Sequence, residues 1–254
     1  MKIVPLFKTH YSLGRSILTL ENPDSCIERG PRSVISLASE SNLEDVFLVE
    51  DNMSSFLQAY TNLSEAKLNL RYGVRLTFCP NLEDKSEESR SKSCKYIIFA
   101  KNEGGYKKLI KMYSIAAKKG FYYEARMDFN TLKKYWDNKD LILAVPFYDS
   151  FIYKNHLTHS ACVPELGFAE PVFFVEDNNL PFEGLLRSKI EKFCKNKYKT
   201  TKTKSIYYEL KKDFKSYLTF RCINNRSSLD RPQLNHMGSN EFCLESWKEK
   251  NDAA

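Results

Sequence analysis

Residues 95–120 read KYIIFAKNEGGYKKLIKMYSIAAKKG, a complete strand–turn–helix unit. Tyr96-Ile97-Ile98-Phe99-Ala100 is a short continuous apolar run, the mark of a strand covered on both faces. Asn102-Glu103-Gly104-Gly105 carries turn chemistry. Tyr106, Leu109, Ile110, Tyr113 and Ala117 then recur at helical spacing and predict one apolar face. Lys107, Lys108, Lys111, Lys118 and Lys119 occupy the rest of the helix, with no acidic residue from Tyr106 to Lys119.

Working outward, residues 2–8 predict a first strand, followed by the loop Thr9-His10-Tyr11-Ser12-Leu13-Gly14. Pro31 opens a helix to about Ser41, with Val34, Ile35, Leu37 and Ala38 inside. Val46-Phe47-Leu48-Val49 is a second buried strand, followed at once by Glu50-Asp51-Asn52. Met53, Phe56, Leu57, Tyr60 and Leu63 predict a helix, and residues 72–79 a third strand. Residues 80–92 (PNLEDKSEESRSK) read as a polar solvent loop.

Downstream, Asp128 is placed to cap a short helix ending near Trp136. Strands are expected at 141–145 and 171–175, a helix at 185–193 and a weak strand at 198–205. A helix at 207–223 would turn Tyr207, Leu210, Phe214, Tyr217, Leu218 and Cys222 inward. Residues 148–159 fit no single template. Short buried strands alternating with helices predict an α/β fold with a parallel sheet, either a barrel or a doubly wound sheet. In both, the loops after strand C-termini carry the site.

The chain has 254 residues, 42% hydrophobic and 28% charged, which places it among globular proteins. It has only 9 Gly and neither GxGxxG nor GxxxxGK[ST], so the glycine-rich phosphate loops are excluded. A net charge of +7 is compatible with a polyanionic partner. The seven Cys form no CxxC, and residues 1–7 look like a strand rather than a leader. Free thiols in a reducing cytoplasm are the expectation, with no membrane span.

Residues 97–135, IIFAKNEGGYKKLIKMYSIAAKKGFYYEARMDFNTLKKY, resemble a segment of the PHP (polymerase and histidinol phosphatase) domain. The similarity is to the version at the N-terminus of the alpha subunit of bacterial DNA polymerase III. Flanking pieces agree in order: Thr9-His10-Tyr11-Ser12-Leu13, Val49-Glu50-Asp51-Asn52, Tyr72-Gly73-Val74-Arg75, Glu176-Asp177-Asn178-Asn179-Leu180-Pro181 and Thr203-Lys204-Ser205-Ile206-Tyr207. Asp230-Arg231-Pro232 and the stretch from Ser239 to Leu244 look like the exit of that domain. The resemblance implies a distorted seven-strand (βα) barrel, TIM-like, over residues 1–230. It makes 231–254 a C-terminal extension toward an absent polymerase palm.

PHP enzymes are metal-dependent phosphoesterases whose His and carboxylate ligands sit at strand ends. The resemblance puts the His-x-His of strand one on Leu6-Phe7-Lys8 and the Asp-His after strand two on Asp51-Asn52. It puts the Glu of strand three on Arg75, the His opening strand four on Lys95 and the last Asp-x-His on Lys204-x-Ile206; a Cys position falls near Phe147. Lys, Arg, Leu and Ile cannot replace a neutral imidazole at a metal. His10, the i, i+3 pair His156/His159 and His236 are read as surface or loop residues. The replacements leave four cations, Lys8, Arg75, Lys95 and Lys204, as an anion-binding set, as partners of internal carboxylates such as Asp51, Glu50 and Asp149, or as solvated side chains.

The expected function is a non-catalytic PHP module in DNA replication, a structural and interaction partner of a DNA polymerase or proofreading exonuclease subunit. It would be a trimmed, split piece of a polymerase of the kind a bacteriophage genome would suit. No catalytic residue and no cofactor are expected. The first alternative is a residual phosphoesterase or 3′–5′ exonuclease using zinc or manganese held by Asp51, His10 and the His156/His159 pair. The second is a nucleic-acid-binding accessory protein, for which residues 187–204 offer eight Lys or Arg against Glu191, with Phe193 and Tyr198 interleaved.

Overall fold

The computed structural model describes residues 2–27, 30–230 and 238–252. The described part of the chain divides into two compact units. The first draws on residues 1–72, 176–183 and 202–254, the second on 73–175 and 184–201.

In the first unit, β1 (Val4–Phe7) lies between two parallel neighbours, β2 (Asp45–Glu50) and β8 (Lys199–Ile206). Leu6 pairs with Phe47 on one side and with Ser205 on the other. The connecting helices are α1 (Val34–Glu40), whose Ser33 side chain accepts from the Ile35 amide, and α2 (Phe56–Glu65). On α2 Ala59 and Leu63 are buried, while Leu57 and Tyr60 face solvent.

The second unit carries most of β3 (Asn69–Phe78), followed by the short helix α3 (Glu87–Ser91), β4 (Cys94–Ala100) and α4 (Glu103–Lys118). Next come β5 (Arg126–Met127), α5 (Phe129–Tyr135), β6 (Leu141–Val145), α6 (Phe151–Leu157), β7 (Val172–Val175) and α7 (Glu183–Cys194). β4 runs antiparallel to both β3 and β6, and β6 is parallel to β7. The sheet is therefore mixed, against the expectation of a parallel one. Residues 79–93 hold only α3 between β3 and β4, with no crossover helix to bring β4 back parallel.

α4 starts at Glu103, and the Asn102 side chain caps it by accepting from the Gly105 amide. The quoted turn is thus the first turn of the helix. Its buried residues are Gly105, Leu109, Met112 and Ala116; Leu109 belongs to the expected face, and the other expected residues, Tyr106, Ile110, Tyr113 and Ala117, each stand one position off a buried one. Gly105 sets this register: a Cβ there would stand 2.2 Å from the Asp140 carbonyl oxygen.

Residues 80–92 are not a bare loop. Ser86 caps α3, and the buried Arg126 guanidinium donates to the Asp84 carbonyl at 3.0 Å and the Gly120 carbonyl at 3.0 Å. The Asp128 carboxylate accepts from the Thr131 amide, as a cap, and also from the Leu82 amide.

After β8 the first unit continues through a 3-10 turn (Lys211–Asp213) to α8 (Phe214–Asn225) and then α9 (Leu244–Asp252). The helix expected at 207–223 begins only at Phe214. Tyr207 and Tyr208 instead bond the tail in extended fashion, Tyr207 to the Phe242 carbonyl and the Leu244 amide to the Tyr208 carbonyl. Trp247 Nε1 on α9 donates to the Ile3 carbonyl at 2.9 Å.

The strand order is β2-β1-β8-β7-β6-β4-β3-β5, with β2 also pairing β3. This is the α/β, seven-strand barrel class that the resemblance implied, with the two-residue β5 attached to β3. No described helix is long and apolar enough to cross a membrane.

Candidate functional site

The strand ends of the first unit hold a set of buried charges. Lys8 follows β1 directly, is 4% exposed and pairs with Asp51 at 2.7 Å. Glu50, the last residue of β2, is fully buried. Its carboxylate accepts from the Thr9 amide at 2.9 Å, the Thr9 hydroxyl at 2.6 Å and the Ser12 hydroxyl. Burial pushes the Glu50 carboxyl up to about 7, against the pull of Lys8 and these hydroxyls. Asn52 donates to the Tyr11 carbonyl and accepts from the Ser54 amide. The loop after β1 is thereby tied to the end of β2. Leu6 and Ile206 are buried apolar side chains.

At the end of β8, Lys204 is 1% exposed. Its ammonium donates to the Asp177 carbonyl at 3.0 Å and lies 3.5 Å from the Glu241 carboxylate. Burial lowers its pKa, helped by nearby Lys250 and opposed by Glu241 and Glu176. Glu241 itself is held below the ordinary carboxylate range. Burial works against its charge, but the Ser246 hydroxyl and then Lys204, Lys250 and Lys211 outweigh it. Buried Glu176 accepts from the Ser205 amide and hydroxyl and from the Asn178 side chain, with burial raising its pKa.

In the second unit, Arg75 on β3 pairs with Asp149 at 2.8 Å and donates to the Tyr148 carbonyl at 3.2 Å. The Asp149 carbonyl in turn accepts from the Lys95 amide at 2.7 Å. Asp149 stands at φ 59, a left-handed conformation that Asp tolerates better than most residues. The Lys95 ammonium donates to the Thr77 hydroxyl and pairs with Glu124. Phe147 is buried in the core. The eight mapped positions thus fall into Leu6, Lys8, Asp51, Asn52, Lys204 and Ile206 in the first unit and Arg75 and Lys95 in the second.

The histidines stand apart from these groups. His10 faces the Leu18 carbonyl at 3.4 Å and packs on Tyr11. His156 and His159 are exposed, and α6 ends at Leu157, so the pair does not share a helix face. His236 and the Arg231-Pro232 part of the expected domain exit lie outside the described residues. Among the described residues no group of three His, Cys, Asp or Glu is placed to hold a metal ion. At the positions where the resemblance expects ligands, Leu6 and Ile206 offer no donor atom, and Lys8, Lys95, Lys204 and Arg75 carry protons where a ligand needs a lone pair. Asp51 and Asn52 have donor oxygens, already engaged by Lys8 and Ser54. This donor set does not fit a divalent metal cluster.

Sequence reasoning assigned no role to Glu124 or Glu241, which supply the counter-charges of Lys95 and Lys204. Nor did it single out Arg126. Each pairing joins residues far apart in the chain, and no local pattern marks it. The nearest signal was Glu50, an acidic residue closing an apolar strand.

These strand-end charges on an α/β barrel define a class, and the comparison with known families agrees with it. The PHP domain model matches residues 28–213, and the chain belongs to the PHP domain family. A curated relative, DNA polymerase III subunit alpha of Borreliella burgdorferi, is 30% identical over 105 residues. That match covers 40% of this chain and 9% of the relative, so the chain spans only a small part of the protein it resembles.

Proposed function

We propose that the chain is a non-catalytic PHP module of the DNA replication machinery, serving as a structural and interaction partner of a polymerase or proofreading exonuclease subunit. Family membership and the similarity to a polymerase III alpha subunit support the setting. One observation carries the loss of catalysis: each of the four cations at expected ligand positions has a carboxylate partner within the fold. The pairs are Lys8–Asp51, Arg75–Asp149, Lys95–Glu124 and Lys204–Glu241. A cation that neutralises an internal carboxylate neither ligates a metal nor offers its full charge to a phosphate. The pairing therefore favours an ion-paired scaffold over an anion-binding pocket.

Affinity purification of the tagged full chain from its native cells tests the partner. A polymerase or 3′–5′ exonuclease subunit in stoichiometric amount is the expected result. A reproducible stoichiometric partner unrelated to replication would overturn it.

A further inference from the structure

We propose that the exposed lysine strip Lys189, Lys192, Lys195, Lys197 and Lys199 docks the phosphate backbone of duplex DNA without regard to sequence. This goes beyond the scaffold role above and does not depend on it.

All five residues lie in the second unit, on α7, the turn after it and the start of β8. Lys189 is half-buried and the other four are exposed. None of the five forms an ion pair with another described residue. Exposed lysines elsewhere divide: Lys107 pairs with Glu103 and Lys133 with Glu165, whereas Lys111, Lys118 and Lys134 form no ion pair with a described residue, so what marks this stretch is its density of cations. Of the five lysines on the basic face of α4, two carry ion pairs. Glu191 is the sole acidic residue from Arg187 to Lys204. The helix dipole accounts for Lys192, which sits in the last turn of α7, but not for Lys197 or Lys199, which lie beyond it.

The neighbouring aromatic rings decide between a duplex and a single strand. Single strands are held by stacking bases on free aromatic faces. Here Phe193 packs against Phe151, Phe173 and Tyr198, with centroids 5.2, 5.6 and 5.9 Å away. Tyr198 is further engaged by Phe173 at 5.4 Å and by the Lys197 ammonium at 5.0 Å. Phe193, 38% exposed, and half-buried Tyr198 stack on each other at an interplanar angle of 12°, so each spends one face on the other. With those faces taken, charge is the main feature the stretch presents outward, which suits backbone contacts to a duplex.

Neutralising about five phosphates gives a slope of log K against log salt of about −4.5 on B-DNA. Affinity should then fall by about 10²–10³-fold between roughly 50 and 200 mM salt. The test is fluorescence anisotropy of the full chain with a short labelled DNA duplex of mixed sequence across that range. A variant with all five lysines changed to Gln should lose most of the binding and most of the slope. A control with the paired Lys92, Lys107 and Lys133 changed to Gln should keep both. Equal loss in the two variants, binding without salt dependence, or tighter binding to a single strand of the same sequence would each overturn the proposal. Circular dichroism on both variants separates lost binding from lost folding.

Discussion

The cations at the strand ends and those along α7 obey different rules. Lys8 and Lys204 are almost fully buried and each lies against a carboxylate, whereas the exposed lysines at 192–199 have none. Burial explains the first group, because an ammonium out of water must be compensated or lose its proton. Exposure permits the second: on α4 and α5, Lys107 and Lys133 carry partners while Lys111, Lys118 and Lys134 have none among the described residues. The contrast separates charge used to hold the fold together from charge left facing outward. The charges at this chain's strand ends are held in ion pairs.

The largest effect should come from breaking the closed side. Glu241→Ala leaves buried Lys204 with the Asp177 carbonyl and the weaker pull of Glu176, and unfolding in urea should show a loss of about 3 kcal/mol. A loss below about 1 kcal/mol would mean that Lys204 sheds its proton or finds another partner.

Glu50 should impose a pH dependence of the next magnitude. Its folded pKa, about 7, lies above its ordinary value of 4.5, so the folded state binds the extra proton between those values. The contribution is present below about pH 4.5 and is lost as pH rises toward 7, on the order of 3 kcal/mol in all. Stability of the wild type relative to Glu50→Gln should fall across that window. A flat difference would show that Lys8 and the hydroxyls keep Glu50 ionised.

Asp149→Ala, which removes the carboxylate partner of the largely buried Arg75, should cost about 1–2 kcal/mol by the same measurement. The smallest effect belongs to the open side. Changing the lysines of the α7 strip to Gln should alter stability by no more than about 0.5 kcal/mol each, because no described partner is orphaned. A larger loss would place those lysines in the scaffold and erase the contrast.

Much of the fold was legible in the sequence, because local pattern specifies it. The apolar run of β4, the Asn102 and Asp128 caps and the positions of β2 and β6 follow from periodicity and capping chemistry. The antiparallel placement of β4 was not legible, since it depends on what residues 79–93 lack rather than on anything in the strand. The inner face of α4 was read correctly at Leu109 and one position off at its other four residues, because the Asp140 carbonyl pressing on Gly105, distant in sequence, sets the register. At the site, the positions of Leu6, Lys8, Arg75, Lys95, Lys204 and Ile206 could be read from the sequence. Their partners could not. Lys204 with Glu241 and Lys95 with Glu124 are tertiary pairings that leave no trace in spacing.

The most direct test of an ion-paired, non-catalytic PHP domain is metal analysis of the purified full chain, joined to a phosphodiester hydrolysis assay with added zinc or manganese. The account predicts substoichiometric metal and no hydrolysis above that of a buffer blank. Stoichiometric, tightly held metal together with metal-dependent cleavage that Asp51→Asn abolishes would contradict it.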